Sequence, residues 1–206
     1  MLSLNRKILN LKSLLIRIEN WCRRIRHRHG YGVHSPSDFY LITSVIYEKL
    51  PYYAYQDLHA LRTQYKGEKK YREKVDRLIF RIANHLQPAV WTDDSPAGAI
   101  TPLYIEAACP RARCVTIEKA AAEGLKVELA HIASEDYRDH FECLLPLVCG
   151  KSCFIIGTPH ESHDKEDWWK EVIADPRTGV TFDLYDIGLV FFNMKRFKEH
   201  RIVNFF

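Results

Sequence analysis

From residue 89 onward, short apolar runs alternate with helical stretches, and this alternation constrains the fold more than any other feature. "AVWTD", "RCVTIE", "KVELAHI" and "SCFIIG" are rich in Val, Ile, Phe and Thr, and each has strand length. Residues 99–108, 136–145 and 164–174, between and after them, read as helices. Strands alternating with helices predict an α/β sheet carrying helices on its faces. The closing "TGVTFDLYDIGLVFFN" differs, because its two apolar runs flank Asp186, Ile187 and Gly188 with no room for a helix. It predicts an antiparallel hairpin.

Upstream the texture is helical. Leu4, Ile8, Leu11, Leu15, Ile18, Cys22 and Ile25 recur at alternating steps of four and three, the stripe of an amphipathic helix. Gly30 and Gly32 end it. Ser35 and Pro36 suit the start of a second helix reaching about Leu50. Val75, Leu78, Ile79, Ile82 and Leu86 mark the inner face of a third, from Lys69 to Leu86, stopped by Gln87-Pro88. The chain thus divides into a helical region, 1–88, and an α/β core, 89–206.

Charge follows the same division. Residues 1–30 hold eight Lys/Arg against one acid, Glu19, within a net charge of +4 for the whole chain, so the remainder is slightly acidic. A basic amphipathic helix docks on its own core, on a partner, or on an anionic surface. The aromatic–basic signature of nucleic-acid binders is missing. No run approaches the roughly 18 apolar residues of a membrane span, and Lys7, Lys12 and Arg17 interrupt any secretory leader. The six cysteines form no C-x-x-C pair and read as reduced core thiols of a cytoplasmic protein. His27, His29 and His34 match no metal-ligand spacing, so no metal is expected.

"HGYGVHSPSDFY", "LYIEAACPRARCVTIEK", "SCFIIGTPHES" and "GVTFDLYDIGLVFF" together resemble a bacterial family of class I S-adenosylmethionine (SAM) dependent methyltransferases, O-methyltransferase-like and common in Bacteroidetes. The resemblance spans most of the chain in the same order. It implies helices before a Rossmann-like core, SAM as cofactor and a small hydroxylated acceptor. The family's first strand ends in an acid and a glycine loop, E-L-G-T-S-x-G. On that pattern Asp93 takes the acidic position, Ser95 and Ala99 replace the two glycines, and Gly98 stands one place away. Glu118, closing "CVTIE", matches the acid that accepts from the ribose hydroxyls. Asp93, Ser95, Gly98 and Glu118 are the cofactor-binding candidates.

The departures from the pattern concern one pocket. A residue with a Cβ costs about 1–2 kcal/mol at positive φ, so a loop without its glycines takes another shape. Only "KAAAEGL" separates Glu118 from the next apolar run, short of the dozen or so residues of a parallel crossover. The family's next helix and third strand are therefore missing, which puts 113–118 at a sheet edge where a second copy can pair. His131 stands where the family has an aspartate, and Gly157 and Thr158 replace two acids. In related enzymes such acids bind a divalent metal or organise the acceptor, and neutral residues remove a hard cation's ligands. His131 and His160 remain as catalytic candidates, the latter with Glu161, His163 and Asp164 near a strand's carboxyl end. Adjacent Trp168 and Trp169 are not expected to share the core, which leaves one as a contact surface. The expectation is a truncated Rossmann-like methyltransferase core with a degenerate cofactor site, acting on a small-molecule or protein partner. An active O-methyltransferase and a basic-helix module are the alternatives.

Overall fold

The computed structural model describes residues 18–205, so the stripe from Leu4 to Leu15 lies outside the described residues. Residues 18–23 are helical, and Gly30 and Gly32 at φ +74° and +76° turn the chain. Ser35 accepts from the Asp38 N–H and Pro36 fills the first turn of α1 (Pro36–Tyr40). The helix then widens into a π-helical turn, Leu41–Ile46, and stops short of Leu50. Helix α2 (Tyr55–Gln64) was not legible in the sequence, because Leu58 is its one fully buried side chain. Helix α3 (Glu73–Leu86) buries the predicted face but begins at Glu73, not Lys69.

The core follows as β1 (Val90–Asp93), α4 (Thr101–Ala108), β2 (Arg113–Cys114), α5 (Ile117–Glu123), β3 (Leu129–Ile132), α6 (Tyr137–Leu144) and β4 (Cys153–Gly157). After it come α7 (His163–Ala174), β5 (Thr181–Asp183), β6 (Ile187–Phe191) and β7 (His200–Ile202). The seven strands form one sheet in the order β2-β1-β3-β4-β6-β5-β7. β1 to β4 run parallel, and β6 is antiparallel to both β4 and β5. This is the expected α/β, Rossmann-like architecture with its closing hairpin. β7, parallel to β5, was not foreseen.

Side chains alternate across the sheet with period two. Leu129 and Ile155 join α3 and α4 in one apolar cluster, while Ala130, Ile132, Phe154 and Ile156 join α5, α6 and α7 in the other. That alternation fixes His131, between Ala130 and Ile132, on the α3 side.

Three expectations are corrected. "VTIE" is not strand: Thr116 accepts from the Lys119 N–H and caps α5, which Gly124 closes at φ +63°. Residues 115–128 thus hold a proper crossover helix, and β3 lands on the far side of β1. β2 remains at the edge, and no strand among the described residues lies outside it. Trp168 and Trp169 are both buried, because the first packs on Tyr137 and Phe141 and the second lies over Gly188 of β6. The cysteines are not all core thiols, since Cys22, Cys114 and Cys143 are exposed. No described helix is long and apolar enough to cross a membrane.

Candidate functional site

An open parallel sheet binds ligands outside the carboxyl ends of its strands, where successive connections part to opposite sides. Here that place is the exit of β1, whose chain leaves toward β2 while β3 flanks it on the other side. The parallel register sets Asp93 opposite His131. His131 Nδ1 lies 2.6 Å from Asp93 Oδ1, and its Nε2 lies 2.9 Å from the Tyr71 hydroxyl. A carboxylate only accepts, so the network assigns Nδ1–H as donor to Asp93 and leaves Nε2 to accept from Tyr71. The Ser95 N–H and hydroxyl both donate to Asp93 at 3.0 Å. Gly98 supplies the loop's one left-handed residue, at φ +80°, and its carbonyl accepts from the Glu68 N–H and the Tyr65 hydroxyl.

Asp94 is engaged just as fully. It accepts from the Ser134 N–H at 3.0 Å, the Ser134 hydroxyl at 2.8 Å, the Ala133 N–H and His140 Nδ1 at 2.9 Å. It ties the end of β1 to the loop after β3.

The segment 65–72 explains the crowding. Its last residues were expected to begin a helix, yet they run extended across the carboxyl ends of the strands. Glu68 forms a parallel bridge with Ala99, and its carbonyl accepts from the Ile100 N–H at 3.0 Å. Lys70 donates to the Ala133 carbonyl at 2.7 Å, and Arg72 pairs with Asp186 at 2.7 Å. Behind the segment, Arg62 bonds both the Tyr71 carbonyl and Asp76. Asp76 is fully buried and also accepts from the Thr101 hydroxyl.

Tyr71 is the centre of this plug. It is 5% exposed, and a Cβ built on Gly157 at the end of β4 would meet its hydroxyl at 2.2 Å. Glycine at 157 therefore makes the room that Tyr71 fills. Burial, helped by the charges of Asp76, Asp93 and Asp94, pushes the Tyr71 phenol well above its ordinary range. It stays protonated and donates to His131.

The remaining candidates lie elsewhere. His160 Nε2 is 2.8 Å from Asp183 Oδ2, while Arg24 reaches Asp183 Oδ1 at 2.8 Å. Trp169 Nε1 donates to the same carboxylate at 3.3 Å. Burial of Asp183 works against ionisation, but the His160 and Arg24 bonds outweigh it and hold its carboxyl far below the usual range. Arg24 thereby fastens the short helical stretch 18–23 that precedes it to the chain's own sheet. Glu118 is exposed in the first turn of α5, where its own backbone N–H and Thr116 lower its carboxyl pKa. The structure thus brings Asp93, Ser95, Gly98 and His131 together, and leaves Glu118 and His160 outside that network. Sequence reasoning missed Tyr71, Lys70, Asp94 and Asp183. Among the described residues, no group of three or more His, Cys, Asp or Glu is placed to hold a metal ion.

No family model matches the chain, and no curated protein does. Solved structures do. An SAH-bound methyltransferase of Podospora anserina matches with a TM-score of 0.51 at 8% identity, over 70% of this chain and 89% of that one. A protein of Corynebacterium glutamicum matches with a TM-score of 0.50 at 11% identity, over 78% of this chain and 99% of that one. At these identities the likeness establishes the fold, a Rossmann-like core of the methyltransferase type.

Proposed function

We propose that this chain is a methyltransferase-like protein whose cofactor crevice is closed by its own residues, and that it acts by binding a small molecule or protein partner. The observation that carries this reading is Tyr71, buried over the ends of β3 and β4 and bonded to His131. A SAM site on this pattern needs a free carboxylate at the end of β1 and a backbone open to close approach. The residues present do not fit SAM. Asp93 is taken by Ser95 and His131, and the neighbouring space holds a phenol ring. Methyl transfer to a hydroxyl also needs a positioned base or a metal, whereas both His131 nitrogens are bonded within the chain and His160 faces Asp183. No catalytic step follows from this arrangement.

The active-enzyme reading rests on one observation, that Asp93 ends β1 and a left-handed Gly98 follows in the loop beyond it. It requires Tyr71 to leave His131 and expose a buried hydrogen-bonding pair. Incubation with methyl-labelled SAM and a panel of small catechols and phenols decides between the two. No incorporation above the protein-free control is expected. Multiple turnovers on any acceptor would replace the binding reading with the enzymatic one.

A further inference from the structure

The helical stretch 18–23 and the turn after it dock on the protein by the side opposite to their apolar stripe. The sequence pattern puts Ile18, Cys22 and Ile25 on that stripe, which a core-facing helix buries. In the structure Ile18 is 50% and Ile25 45% exposed, and Cys22 between them is exposed as well. Polar groups make the contacts instead. Arg24 reaches Asp183 at 2.8 Å. Asn204 donates its side-chain N–H to the Trp21 carbonyl and its backbone N–H to the His27 carbonyl. Outside the described residues, the sequence continues the stripe at the same steps through Leu15, Leu11, Ile8 and Leu4. Contiguous apolar surface of this kind marks an interaction site.

Charge selects the partner. Residues 1–30 carry eight Lys/Arg and one acid. Glu19 pairs with Arg23 at 2.6 Å, and Arg24 is taken by Asp183, so neither arginine counts toward a partner. Arg6, Lys7, Lys12, Arg17, Arg26 and Arg28 have no further acid in the segment to offset them. Arg26 and Arg28 are exposed, and no carboxylate among the described residues pairs with either. A second copy of the segment would set these like charges side by side, without the acids that a two-stranded coil uses along its flanks. A negative surface that also takes up apolar side chains suits both the stripe and the cations. The headgroup layer of an anionic bilayer is such a surface.

We propose that this stripe rests on an anionic phospholipid surface, its apolar side chains at the boundary of headgroups and acyl chains and its cations among the phosphates. The protein lies on the bilayer and does not cross it. The surface shares no residue with the β1–β3 crevice, so the proposal stands whether or not SAM binds there.

The test is co-sedimentation of the full chain with vesicles of phosphatidylcholine alone, and of phosphatidylcholine containing about one-third phosphatidylglycerol. Binding to the anionic vesicles is expected to be tighter by about tenfold or more and to weaken as salt is raised. Arg26→Gln and, independently, Ile18→Ser should each weaken it by about fivefold, while Lys119→Gln on exposed α5 leaves it unchanged. Arg26 and Ile18 are exposed, so both variants keep the fold, which circular dichroism checks. Equal binding to the two kinds of vesicle, or an Ile18→Ser variant that binds as the parent does, would overturn the proposal. So would binding to poly-L-glutamate with none to anionic vesicles, which assigns the segment to an acidic protein, or a dimer in sedimentation velocity with no vesicle binding.

Discussion

Replacing Tyr71 separates a plugged crevice from an open one. Tyr71→Phe keeps the ring and removes the hydroxyl, which leaves the buried His131 Nε2 without its donor. An unsatisfied buried acceptor costs about 1–3 kcal/mol. For a chain of this length each kcal/mol moves Tm by roughly 2–4 °C, so a drop of about 2–12 °C is expected. Tyr71→Ala also removes the ring that packs edge-on to His131 and closes over Gly157, and large-to-small aromatic changes in packed sites cost about 3–5 kcal/mol. The corresponding drop is roughly 6–20 °C. Tyr31→Phe, at an exposed phenol, serves as the control and stays within about 0.5 kcal/mol of the parent. Urea unfolding followed by circular dichroism gives all three values on one scale. If both Tyr71 variants match the Tyr31 control, the ring is not packed over β3 and β4, and the closed crevice falls with it.

Further predictions follow from the neighbouring contacts. Gly157→Ala forces a carbon against the Tyr71 hydroxyl and costs about 1–3 kcal/mol. In the Tyr71→Ala background that cost largely disappears, and additivity of the two changes in a double-mutant cycle would refute the contact. Asp183→Asn leaves Arg24 and His160 without their carboxylate and costs about 3–5 kcal/mol near neutral pH. Because the native Asp183 pKa is depressed, the stability it contributes is present above its unfolded pKa of about 4 and is lost as pH falls through the folded value. The gap between wild type and Asp183→Asn therefore narrows in acid, and a constant gap down to about pH 2 argues against the ion pair. Iodoacetamide should label exposed Cys22 and Cys143 well before Cys109 and Cys153, whose burial raises their thiols, Cys109 to about 11. Mass spectrometry of the labelled peptides gives the order directly.

The sheet was legible because the sequence supports it twice, by apolar runs of strand length and by helical stretches between them. Its boundaries were less so. "RCVTIE" reads as one strand on composition, yet Thr116 supplies a helix cap and Ala120 to Ala122 favour the helix that follows. Asp93 and His131 were each visible as candidates, but only the parallel register shows that they face each other. Tyr71 was hidden for a physical reason. "TQYKGEKKYREK" is so charged that its second half reads as the solvated first turn of the helix from Lys69 to Leu86, and no local periodicity reports a contact with Gly157. The two tyrosines at 65 and 71 were the available signal, since their rings seek cover that the charges do not supply. Asp183 carried a similar hint, as a charge inside an apolar strand run that demanded a partner.

The central claim is that this fold keeps its shape while its own side chains occupy the place of SAM. Calorimetric titration of the purified chain with SAM and with S-adenosylhomocysteine tests it most directly. The account predicts no saturable heat from either ligand at millimolar concentration. Micromolar binding that disappears in Asp93→Ala would contradict it, because the carboxylate would then have to be free and Tyr71 displaced.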